Sequence, residues 1–134
     1  MSLIADLLYK APHLSATSKF SVFNGIFYMA TGGLFLLWPD SVQTLFQDRP
    51  FVGHEQALFR IIGMAVAVIG WFYFFGGRSG LRQFVAASIL DRIFLVPAVL
   101  LPLVLSGVFP HSLGGFAILD PCLGLVAWIL SRKN

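Results

Sequence analysis

The sequence predicts an all-α fold: a membrane-spanning four-helix bundle with short loops and an amphipathic N-terminal segment. Three observations lead there. The 134 residues are 57% hydrophobic and only 11% charged, with a mean hydropathy of +0.84, against roughly 25% charge in ordinary soluble domains. Four stretches are continuously apolar over about the 20 residues that a helix needs to cross hydrocarbon. None alternates in the manner of barrel strands. At this length one domain, residues 1–134, is expected. The same composition excludes a disordered chain, a coiled coil, a disulfide-rich domain and a nucleic-acid module.

The elements follow in chain order. Leu3, Ile4, Leu7 and Leu8 share one face, apart from Asp6 and Lys10, so a short amphipathic helix is expected before Pro12. Ser15, Thr17 and Ser18 offer caps for the first span, Phe20 to Trp38. On that span Asn24, Tyr28, Thr31 and Phe35 form a mildly polar stripe suited to the bundle interior. In the longest connection, Asp40 or Ser41 is positioned to cap a surface helix carrying Val42, Leu45 and Phe46, ended by Pro50 and Gly53. The second span runs from Gln56 to Gly76 and the third from Phe84 to Val108, with kinks expected at Pro97 and Pro102. The fourth runs from Leu113 to Leu130 and contains Asp120 and Pro121. Gly77 to Arg82 and Gly107 to Ser112 are tight turns.

Charge sets the expected orientation. The N-terminus, second loop and C-terminus carry Lys10, Lys19, Arg78, Arg82, Arg132 and Lys133, whereas the opposite side carries only Arg49, with Asp40, Asp48 and Glu55. The positive-inside rule therefore puts both termini on the cytoplasmic side of a bacterial inner membrane, or the matrix side of an organellar one. Trp38 at one end, and Trp71, Tyr73 and Trp128 at the other, suit an interfacial aromatic belt. The net charge of +3 is accounted for by this flanking pattern, and no nucleic-acid partner is expected.

Arg60, Asp91, Arg92 and Asp120 lie in or beside the spans. A charge at mid-bilayer costs about 2.5–3.5 kcal/mol on insertion scales, so such residues face protein or water. At about 1.5 Å per residue, Arg60 lies about 7 Å and Asp120 about 10 Å inside the outer boundary. Arg60, Gly63, Ala67 and Gly70 form a stripe of small residues on the second span, and Ala117, Asp120, Gly124 and Ala127 a similar one on the fourth. Small residues mark close helix contact, so these two spans are expected to meet there, with Arg60 paired to Asp120. Asp91 shares a face with Ala87, Phe94 and Ala98 and is expected to point inward. Two placements of the Asp91–Arg92 pair stay open: inside a tilted span, or at the interface with Arg92 snorkelling. The four charges read either as register-fixing structure or as a polar site for a proton, ion, quinone or headgroup.

No metal site is expected: His54, directly beside Glu55, and His111 lie on separate loops without helical ligand spacing. Cys122 stands alone and reads as a small buried hydrophobe. No phosphate loop or Cys pair occurs, and the spans contain no lysine. No cofactor is expected, although a bound lipid or quinone fits the composition.

Arg60-Ile61-Ile62-Gly63, Gly70, Tyr73, Arg78 and Asp91-Arg92 form a pattern that resembles small bacterial-type four-helix membrane proteins and is loosely similar to DoxX-like proteins. The resemblance covers the second to fourth spans, about half the chain. It implies a compact bundle, with Gly63 and Gly70 as packing glycines, and carries no catalytic residues. Three functions follow in order of preference. The first is a non-catalytic accessory subunit whose partners are membrane lipids and other subunits. The second is a small self-associating transporter or channel component using the intramembrane charges. The third is a lipid- or quinone-handling enzyme using Asp120, Asp91 or Glu55.

Overall fold

The computed structural model describes residues 2–133, and the described residues hold helices and no strand. α1 (Leu3–Leu8) precedes the first span, α2 (Ala16–Leu37), and α3 (Pro39–Phe46) lies between α2 and the second span, α4 (Glu55–Ser79). The third span comprises α5 (Arg82–Leu90), a π-helical turn (Asp91–Leu95) and α6 (Val96–Leu105); the fourth is α7 (Pro110–Arg132). Four helical stretches, 22, 25, 24 and 23 residues long, are long and apolar enough to cross a membrane. The chain is an integral membrane protein of all-α class.

Helix ends follow from local chemistry. Ser15 caps α2 by accepting from Ser18 N–H at 3.0 Å. α3 starts at Pro39, whose missing N–H costs nothing in a first turn. Neither Asp40 nor Ser41 is its cap, since Trp38 occupies that position without a side-chain bond. Val42 turns into the core while Leu45 stays exposed, so the three apolar residues of α3 do not form one membrane-facing stripe. α4 ends at Gly80, whose φ of +71° favours glycine.

The seam between α2 and α4 is the most intimate contact in the bundle. Its chemistry is a heptad of small residues on each helix: Ser18, Gly25 and Gly32 on α2, and Gly63, Gly70 and Gly77 on α4. A Cβ built on Gly70 would lie 2.5 Å from Met29 N and 2.7 Å from Gly25 O, and one on Gly63 would lie 2.5 Å from Leu36 N. The two backbones touch, with Ala67 against Gly32. In lipid, where apolar surface gains nothing by leaving the solvent, close approach of this kind holds helices together. A seven-residue repeat keeps the seam in register along both helices.

This packing corrects one expectation. The small-residue stripe of α4 faces α2, not α7. The α7 stripe (Ala117, Asp120, Gly124, Ala127) is buried against the third span and α2. The residue opposite Gly124 is Arg92, whose Cβ would stand 3.0 Å from an added Cβ there.

The third span is continuous rather than broken. Pro97 cannot donate to Ile93, and its ring crowds that carbonyl. The backbone takes up the conflict just upstream: Val96 N–H reaches back five residues to Asp91 O, closing a π turn. The buried face of this span comprises Val85, Ser88, Ile89 and Arg92, not Ala87, Asp91 and Phe94. Phe94 is lipid-facing and Asp91 half-buried.

The end remote from the termini is closed by aromatics. Phe35, Phe59 and Phe109 are buried there, joined by the half-buried Phe51 and Phe116. Phe35 and Phe59 stack at 4.8 Å, and Phe59 and Phe109 meet at 5.5 Å.

Candidate functional site: a buried arginine–aspartate–tyrosine cluster

Hydrocarbon excludes unpaired charge, so the polar groups that these helices carry inward must find one another. The π turn delivers Arg92, which is 1% exposed. α7 delivers Asp120 from the residue before Pro121, whose lost N–H leaves the Ala117 carbonyl without its helical donor. α2 and α4 deliver Tyr28 and Tyr73, both buried.

The four side chains form one constellation. Arg92 Nε donates to Tyr73 Oη at 3.1 Å and lies 3.8 Å from Asp120 Oδ1. Tyr28 Oη donates to the same carboxylate oxygen. The guanidinium stacks over the Tyr73 ring at 4.1 Å and lies 5.5 Å from the Tyr28 ring centroid. The two tyrosine rings meet edge to face at 5.6 Å. Arg92 is thus held by one ion pair, one hydrogen bond and two aromatic faces, each stronger for the exclusion of water.

Arg60 is not part of this cluster. Its Nη1 donates to Leu36 O at 2.7 Å, and its side chain is exposed. Leu36 lies in the last turn of α2, where carbonyls have no intrahelical donor. Arg60 therefore caps the C-terminus of its neighbour, a favourable place for a cation. Asp120 takes its charge partner from Arg92 instead, and Arg92 is buried rather than snorkelling.

Other polar residues surround or lead to the cluster. Ser21 Oγ donates to Tyr73 O at 3.1 Å. Asn24 is fully buried, with neither side-chain polar atom partnered among the described residues, and Arg92 Nη2 is likewise without a partner. On α2, Ser18, Ser21, Asn24 and Tyr28 form a buried polar stripe from the termini end to Asp120. Thr31 turns its hydroxyl back to Phe27 O instead.

Sequence reasoning placed Tyr73 in an interfacial belt and gave Tyr28 only a general polar role. The missed signal is the heptad on α2, which puts Tyr28 on the face of the glycine seam, three residues after Gly25 and four before Gly32. Gly63, Ala67 and Gly70 lie in that seam, and Gly124 gives Arg92 room. Cys122 is exposed, not buried. His54 and His111 are not gathered with a third potential ligand, and no metal-holding group of His, Cys, Asp or Glu occurs among the described residues.

A second polar knot closes the loop end. Burial pushes the Asp48 carboxyl up. Hydrogen bonds from the Ser112 hydroxyl and the Ser112 and His111 N–H groups, with the nearby imidazole, outweigh that and hold it below its usual range. Asp48 thereby caps the N-terminus of α7 from a distant loop. Arg49 pairs with Glu55 at 2.6 Å nearby.

These features define a class: a four-helix integral membrane bundle built on a glycine seam and a buried ion pair. Compared with known proteins, the chain matches no family model, no curated protein and no solved structure.

Proposed function

We propose that the chain is a non-catalytic accessory subunit of a larger membrane assembly, contributing surface and lipid contacts rather than chemistry. One observation carries this reading: the ionisable groups of the interior are turned on each other. Arg92 and Asp120 are both buried, and their strongest contacts are mutual or with Tyr28 and Tyr73. Groups so engaged fix helix register and orientation. The outward surfaces, by contrast, are apolar and unengaged. α1 buries none of its residues, with Leu3 87% exposed, yet it is tied to the body: Arg78 Nη2 donates to Leu8 O at 3.1 Å and Ala11 N–H to Arg78 O at 3.0 Å. A tethered, exposed apolar helix suits contact with lipid or a neighbouring subunit.

The test is mild-detergent extraction from the native membrane, native-gel separation and mass spectrometry of co-migrating chains. A defined hetero-assembly is the expected result. Migration as a monomer or homo-oligomer overturns it. The second reading, a self-associating transport component, draws on the buried stripe Ser18–Ser21–Asn24–Tyr28, which gives one side of the membrane a polar route to Asp120.

A further inference from the structure

At the termini end, α5, the π turn, α7 and the start of α2 leave a cleft of about 610 Å³ between them. That lies in the range of small-ligand sites. Its mouth is polar: Arg82, Ser15 and Ser131 line it. Its depth is apolar: Ile89, Ile93, Phe94, Leu125 and Trp128 form the walls. Arg82 is exposed and has no ion-pair partner among the described residues. Lys19, Arg132 and Lys133 stand at the same end, with Arg132 stacked at 4.3 Å over the Trp128 ring.

We propose that this cleft binds one anionic glycerophospholipid, its phosphate at Arg82 and one acyl chain along Ile89, Ile93 and Phe94. Two arguments select this occupant. The first is length. Twelve residues separate Arg82 from Phe94, so the groove runs about 18 Å at 1.5 Å per residue. One leaflet of hydrocarbon is about 15 Å deep, so the groove matches one acyl chain starting at a headgroup. The second is charge complementarity. The mouth sits where headgroups lie, and its free side chain is a guanidinium, suited to fork-like contact with phosphate oxygens. A neutral quinone uses the apolar wall but has no use for the cation, and free phosphate uses the cation but not the wall.

The experiment uses the full chain in mild detergent, titrated with phosphatidylglycerol, phosphatidylcholine, a neutral quinone or inorganic phosphate. Bound species are counted by native mass spectrometry. One phosphatidylglycerol binds in preference to phosphatidylcholine. Arg82→Gln lowers that preference about fivefold, the factor corresponding to about 1 kcal/mol per basic side chain near a headgroup, and Arg82→Lys keeps most of it. Ala86→Trp, which fills the groove from its wall, removes the bound lipid. Helical content by circular dichroism identifies any variant that fails to fold. If Ala86→Trp is one, the Arg82 pair alone decides. Equal retention of the two phospholipids, loss of none with Arg82→Gln, or preferential uptake of quinone or free phosphate overturns the proposal. None of these readouts depends on a partner subunit, so the proposal stands or falls separately from the accessory role.

Discussion

Replacing Arg92 with Leu, Asp120 with Leu, and both together measures the buried pair directly. Arg92→Leu removes the ion pair at 3.8 Å, the bond to Tyr73 and the stack at 4.1 Å on its ring. It leaves Asp120 buried with only Tyr28 as donor. Stranding one member of a buried pair costs about 3–5 kcal/mol. With Tyr28 still bonded, the lower end applies, so about 3 kcal/mol is expected. Asp120→Leu strands a guanidinium that keeps Tyr73, at a similar cost. The double variant exchanges both charges for apolar bulk, which is often nearly neutral. A coupling energy of about 6 kcal/mol follows, above the roughly 0.5–3 kcal/mol usual for contacting residues, because each single change leaves a buried charge behind. Equilibrium unfolding in mixed micelles, followed by far-UV circular dichroism and tryptophan fluorescence, supplies the four stabilities. The parallel cycle on Arg60 and Asp120 is expected to be additive within about 0.5 kcal/mol, because Arg60 bonds to Leu36 O instead. Coupling below that value for Arg92, or larger for Arg60, refutes the assignment.

Two further outcomes follow. Gly70→Leu forces a side chain into the backbone of Met29 and Gly25, which has nowhere to yield. Overpacking costs typically 1–3 kcal/mol, and here about 3 is expected. Gly33→Ala meets nothing within 4 Å and changes stability by at most about 1 kcal/mol in the favourable direction; thermal midpoints of both variants check the contrast. Asp48→Ala costs about 2 kcal/mol at neutral pH, since a buried cap with charge-assisted bonds is lost. The folded-state carboxyl is held below its usual value, so its contribution is present above about pH 4 and fades as pH falls through the depressed value. Wild type therefore loses stability on acidification and the variant loses less, which parallel unfolding series at neutral and acidic pH will register.

The spans and the inward stripe of α7 were legible because a bilayer imposes length and excludes charge. Asn24, Tyr28 and Phe35 on α2 were legible for the same reason. The choice of partners was not. Depth along the membrane put Arg60 and Asp120 at one level, but depth carries no information about which helices adjoin. A long arginine near a helix end is also satisfied by a neighbour's free carbonyl, as Leu36 O shows. The α2–α4 seam was half legible: the α4 glycines stood out, and their true counterparts, Gly25 and Gly32, were present at the same seven-residue interval. The inward turn of Arg92 stayed open in the sequence, and the inward face went to Asp91 because Ala87 and Ala98 made that side look like the packing face. In lipid, small residues on an outward face incur no penalty, whereas a guanidinium does.

The central claim is that the bundle interior is closed around the Arg92–Asp120 pair and is not an aqueous route. Replacing the exposed Cys122 with Ser and then making Asn24→Cys places one thiol at the fully buried position between Ser21 and Tyr28. A membrane-impermeant maleimide applied to sealed vesicles of either orientation is expected to leave this thiol unmodified until the protein is unfolded, while Arg49→Cys, exposed in the loop before α4, reacts in the fold. Rapid modification of Asn24→Cys from the termini side would contradict the account and make the polar stripe on α2 a pathway.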